Sequence, residues 1–160
     1  MDKAGKPHLA GTWNQIPIHF SLAHVDRILV VAVASSRVGV DVERMRAFPD
    51  LDAVAGVCFT AEERALLGGR CDTERLELFF AIWTRKEAWA KALGAGLGAA
   101  LPSTTPDFPS GWSGALLASP EGYRSAIVIE GELAEVQYVR SGPAEVTGPV
   151  PGVVCPGGPA

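Results

Sequence analysis

Residues 73–93 carry the strongest periodicity in the chain and constrain its fold more than any other stretch. Leu76, Phe79, Phe80, Trp83, Ala90 and Leu93 recur at helical spacing, and the polar stripe they leave contains Glu87 and Lys91. This spacing predicts a long amphipathic helix, stopped at Gly94 as its C′ residue. A helix with an apolar stripe of that length must lie against a second layer.

Strands supply that layer. Arg27–Val33 reads as a buried strand, Ser35-Ser36-Arg37 turns the chain, and Val38–Glu43 reads as the next strand. The two are expected to form a hairpin, although no Asn-Gly fixes the turn type. Residues 1–19 are turn-rich, with room for one short strand. Residues 50–57 suggest a short helix and 59–67 a second, in which Thr60 and Glu63 match a capping box. Beyond a Pro/Ser/Gly-rich loop at 102–114, strand candidates at Ala115–Ala118, Tyr123–Ile129 and Glu132–Val139 would complete an antiparallel sheet against the long helix. The expected class is therefore α+β. Residues 1–140 read as the folded domain and residues 141–160 as a disordered Pro/Gly-rich tail.

The bulk properties exclude several functions. Residues 1–100 hold twelve Lys/Arg and twelve Asp/Glu, and the rest hold two and six, so the net charge of −4 gathers after residue 100. No basic face for nucleic acid is advertised. The longest apolar run, Ile28 to Ala34, is too short to span a bilayer. Cys58, Cys71 and Cys155 are odd in number and lack any CxxC spacing. That usage suits a reducing compartment, and the expected location is the cytoplasm.

Chemistry concentrates in two segments, Gly39-Val40-Asp41-Val42-Glu43 and Trp83-Thr84-Arg85-Lys86-Glu87-Ala88-Trp89-Ala90-Lys91. Asp41 and Glu43, two residues apart on a strand, share one face, while Val38, Val40 and Val42 point into the core from the other. Glu87 and Lys91 share one side of the helix. If the helix crosses the strand, Asp41, Glu43 and Glu87 form an oxygen-lined cage for a hard divalent cation on a solvated cleft face. Lys86 and Lys91 beside it would suit a pyrophosphate.

Each part also has an ordinary reading. Acidic pairs are common on exposed strand faces, and Glu87 with Lys91 matches a surface ion pair worth about 0.3–0.5 kcal/mol. Trp83 and Trp89 suit packing better than ligand stacking, Glu63 suits a cap, and His24 suits a satisfied structural histidine among apolar neighbours. The glycines of Gly94-Ala95-Gly96-Leu97-Gly98 follow a helix where a dinucleotide loop must follow a strand. Ser21, His24 and Asp26 lie too close in one extended segment to be a nucleophilic triad.

Taken together, Gly-Val-Asp-Val-Glu and Trp-Thr-Arg-Lys-Glu-Ala-Trp-Ala-Lys resemble the signature of the 4′-phosphopantetheinyl transferase superfamily, in its Sfp-type branch. Phe59-Thr60-Ala61-Glu62-Glu63 and Gly94-Ala95-Gly96-Leu97 resemble the segments that intervene and follow, and Gly5-Lys6-Pro7 resembles one upstream. In Phe20-Ser21-Leu22-Ala23-His24-Val25 only Phe20, Leu22 and His24 keep the family pattern. The resemblance spans roughly residues 5–139.

The resemblance implies Mg²⁺-dependent transfer of phosphopantetheine from coenzyme A to a serine of an apo acyl or peptidyl carrier protein, in fatty acid, polyketide or nonribosomal peptide synthesis. Asp41, Glu43 and Glu87 would hold the metal, and Lys86 and Lys91 would neutralise charge on the pyrophosphate. Glu87 would serve as general base and Glu63 would orient a metal-bound water, while Lys6 and His24 would lie near the coenzyme. Sfp-type enzymes have two similar halves, so the implied fold is one such half plus a remnant of the first. A single half would expose an apolar face, which implies a homo-oligomer or part of a larger synthase. The alternatives are a carrier-binding pseudoenzyme and a Mg²⁺-dependent nucleotide hydrolase, the latter without any Gly-rich phosphate loop before a helix.

Overall fold

The computed structural model describes residues 17–95, 104–105, 107–133 and 135–139. Among these residues five strands and three helices follow in the order β1 (His19–Val25), β2 (Ile28–Ala34), β3 (Val38–Arg44), α1 (Leu51–Cys58), α2 (Ala61–Leu67), α3 (Asp72–Leu93), β4 (Trp112–Leu117) and β5 (Tyr123–Glu130). The class is α+β, with antiparallel sheets and one long helix. No described helix is long and apolar enough to cross a membrane.

Strand pairing differs from the expected pattern. β2 pairs with β1, not with β3, through the two-residue turn Asp26-Arg27. Asp26 takes a positive φ of 51°, a region that Asp tolerates better than most residues. β3 instead pairs with β5, Asp41 opposite Ala126 and Glu43 opposite Arg124, and β4 completes a sheet of order β3-β5-β4. The reason is burial: β3 needs cover on both faces, and only a position between the hairpin and α3 gives it. Ala23 and Ala32 of the hairpin pack on Val38, Val40 and Val42, and Ser21 Oγ accepts the Val40 N–H at 3.1 Å.

The outer face of the hairpin is the second departure. Leu29 and Val31 are 64% and 54% exposed, joined on that face by Leu22, Val33 and His24, so β2 is only half buried. His24 is thus an exposed residue and not a structural histidine inside the core. Its turn is nonetheless anchored, with Tyr123 Oη donating to Asp26 Oδ2 at 2.9 Å and Arg44 within 3.5 Å of the same carboxylate. The expected strand at Glu132–Val139 does not form among its described residues. The expected tail at 141–160 lies outside the described residues.

α3 serves two cores. Its first half packs against α1 and α2 around Phe79, which is ringed by Phe48, Phe59, Phe80 and Trp83. Its second half lies on the three-stranded sheet through Ala88, Trp89 and Ala92 against Ala126 and Val128. Gly94, at φ 69°, ends it in the left-handed conformation as expected, whereas Leu93 of the apolar stripe is exposed.

Candidate functional site

The helix and strand carrying the two sequence motifs meet directly. At Gly39 the backbones of β3 and α3 touch: a Cβ there would overlap the Ala88 carbonyl oxygen and crowd the Ala92 nitrogen. Ala88 and Ala92 are small for the same reason, and both are buried. This contact sets α3 down beside Asp41, and the turn that carries Ala88 and Ala92 on one side carries Glu87 and Lys91 on the next.

Lys91 Nζ donates to Asp41 Oδ1 at 2.7 Å. Asp41 is only 4% exposed, so it does not sit on the solvated face expected for it, because Gly39 lets the helix come so close. Its Oδ2 is buried without a hydrogen-bond partner. Glu43 is half-buried and accepts a hydrogen bond from Trp83 Nε1 at 3.1 Å. Sequence reading missed this role of Trp83. The available signal was its position four residues before Glu87, at the border between the apolar and polar stripes.

Burial dominates the electrostatics of the three carboxyls. Burial, and next the Asp41 carboxylate, push Glu87 up to about 7 from 4.5, with Lys91 opposing. Burial also raises Asp41 against the pull of Lys91, and raises Glu43 against its hydrogen bond from Trp83. An added cation would offset the cost of ionising three part-buried carboxyls that share one partly exposed ammonium. Among the described residues no three His, Cys, Asp or Glu side chains already converge as a metal cage. The donors are nonetheless of the right kind, since hard divalent cations take carboxylate oxygens and the buried Asp41 Oδ2 lacks a partner.

Glu63 and Lys86 form a separate constellation. Lys86 Nζ lies 2.9 Å from Glu63 Oε2, and the two side chains are 1% and 0% exposed. Glu63 also closes the capping box, its Oε2 accepting the Thr60 N–H while Thr60 Oγ1 accepts its own N–H. Its Oε1 accepts from Thr104 N at 2.8 Å and Thr104 Oγ1 at 3.2 Å. The structure thus brings Asp41, Glu43, Glu87 and Lys91 together and turns Lys86 inward to Glu63. His24 stands on the outer hairpin face, and Lys6 lies outside the described residues.

A family model described as the 4′-phosphopantetheinyl transferase superfamily matches residues 37–139, which includes every element from β3 to β5 and both motifs. The chain belongs to the 4′-phosphopantetheinyl transferase superfamily. Among curated relatives, it is 34% identical over 97 residues to the 4′-phosphopantetheinyl transferase HetI of Nostoc sp. (strain PCC 7120), covering 60% of this chain and 41% of that one. It is 32% identical over 94 residues to the 4′-phosphopantetheinyl transferase gsp of Aneurinibacillus migulanus, covering 58% of this chain and 36% of that one. To a 4′-phosphopantetheinyl transferase of Bacillus subtilis it is 30% identical over 99 residues, covering 62% and 42%. The chain therefore spans about two-fifths of the length of the curated relatives it matches.

Proposed function

We propose that this chain transfers the 4′-phosphopantetheine group from coenzyme A to a serine hydroxyl of an apo carrier protein, releasing adenosine 3′,5′-bisphosphate. The single observation that carries this reading is the meeting of Asp41, Glu43, Glu87 and Lys91 at the contact between β3 and α3 in a member of this superfamily.

Asp41, Glu43 and Glu87 would hold Mg²⁺, which when bound offsets charge on the coenzyme A pyrophosphate. Lys91, about one-third exposed, would contribute a cation at the same place for a phosphate oxygen. Glu87 would take the proton of the incoming serine, directly or through a metal-bound water. The serine oxygen–phosphorus bond forms as the bond from that phosphorus to the nucleotide phosphate oxygen breaks. Most of the acceleration in such transfers comes from positioning and charge stabilisation, the two things these four side chains would supply.

The proposed setting is cytoplasmic, with coenzyme A and a carrier as partners. Self-association is supported by the anchored outer face of the hairpin, where Leu22, Leu29, Val31 and Val33 are exposed together. A second reading, a carrier-binding protein without turnover, draws on the lack of a preformed metal cage among the described residues. Intact-mass measurement of a panel of apo carrier proteins, incubated with the chain, Mg²⁺ and coenzyme A beside an Asp41→Ala control, decides between them. Phosphopantetheine addition that the control lacks supports transfer. Carrier binding without addition across the panel supports the second reading.

A further inference from the structure

We infer that Glu63 and Lys86 are positioning residues, a buried clamp that fixes the rotation of α3 and so aims Glu87 and Lys91 at Asp41, rather than groups that meet coenzyme A or a metal-bound water. The inference rests on the transferase reading of the Asp41 site.

Both carboxylate oxygens of Glu63 are committed. They accept from the Thr60 N–H at the start of α2, from Lys86 Nζ on α3, and from the backbone and hydroxyl of Thr104. One carboxylate thus joins three separate segments. Lys86 is equally enclosed at 1% exposure, within reach of the Glu63 charge that buries with it. A charge so buried is costly unless paired, and a well-packed apolar pair would serve stability as well or better. What an ion pair adds is direction.

Helix geometry shows what is being directed. Successive side chains advance by roughly 100° around α3, so Lys86 projects about 160° from Ala88. One side of the helix is seated on Gly39 through Ala88 and Ala92, and the nearly opposite side is pinned through Lys86. Glu87 and Lys91 lie between these two fixed points, and rotation about the helix axis is the motion that would carry them off Asp41. Clamping at both sides opposes it.

Two measurements test this. In the first, the double variant Glu63→Gln with Lys86→Met removes both charges, and steady-state transfer is compared with wild type after thermal unfolding confirms the fold. The expected result is a KM for coenzyme A within about twofold of wild type and a kcat lower by roughly 10- to 100-fold, the scale of a small misplacement of reacting groups. A folded double variant with unchanged kcat, or with KM raised tenfold at constant kcat, overturns the clamp.

The second measurement uses the unaltered protein and needs no turnover: lysine acetylation mapped by mass spectrometry, with and without coenzyme A and Mg²⁺. Lys86 is expected to react slowly in both, while Lys91 is protected by coenzyme A. Rapid labelling of Lys86 that coenzyme A suppresses overturns the clamp whether or not the double variant folds. A wild-type chain that modifies no carrier yet shows the slow Lys86 pattern loses the transferase reading and keeps the buried pair.

Discussion

Lys91 Nζ stands 2.7 Å from Asp41 Oδ1, joining a helix to a strand fifty residues earlier in the chain. The pair is unequal: Asp41 is nearly enclosed, Lys91 is about one-third exposed, and the second Asp41 oxygen has no partner. One charge is enclosed while its counter-charge keeps access to water.

Asp41→Ala is therefore expected to remove transfer, by roughly 100-fold or more, without unfolding the chain. Lys91 keeps access to water when its partner is lost, so the unpaired-charge penalty is small. Asp41→Asn should behave alike in activity and relieve repulsion on Glu87. Wild-type turnover by either variant would remove Asp41 from the metal site.

Gly39→Ala should be more damaging than its size suggests. The new methyl meets backbone atoms of Ala88 and Ala92, which cannot rotate aside, so α3 must lift from β3. A loss of about 1–3 kcal/mol in denaturant unfolding is expected, with activity falling further because Glu87 and Lys91 move with the helix. Unaltered stability would show that the two backbones have slack.

The pH dependence follows from Glu87. Its folded pKa of about 7 lies above the ordinary 4.5, so between these values the folded state binds more protons than the unfolded one. Stability is then fullest below about 4.5 and declines as pH rises through 7, the raised Asp41 and Glu43 acting in the same direction. Melting temperature without divalent cations should fall from pH 5 to pH 8, and Glu87→Gln should flatten part of that fall. Added Mg²⁺ should raise the melting temperature most at pH 8, where the carboxylates are ionised. A cation effect equal at both pH values would count against the three-carboxylate site.

The hairpin face gives a fourth expectation. Sedimentation at micromolar concentration should show a species larger than a monomer, and Val31→Glu, in the middle of the exposed apolar face, should shift it to monomer. A wild-type chain that is monomeric and active would refute association as a requirement.

Much of this was legible from local pattern. The helix over residues 73–93, the Thr60–Glu63 capping box, the Gly94 stop and the alternation of Val38, Val40 and Val42 with Asp41 and Glu43 all depend on neighbours within a few residues, and each appears in the structure. Sequence by itself also placed the carboxylates and Lys91 on two elements able to meet, and linked them to the superfamily that residues 37–139 match. Tertiary structure decided the rest. Strand β3 chose β5 across more than eighty residues instead of its neighbour β2, a choice made by burial on both faces and invisible to any local window. The cap formed by Glu63 was legible, but its burial with Lys86 was not, because whether a charged side chain turns outward or inward depends on which segments pack above it, and that is settled only when α2, α3 and Thr104 come together.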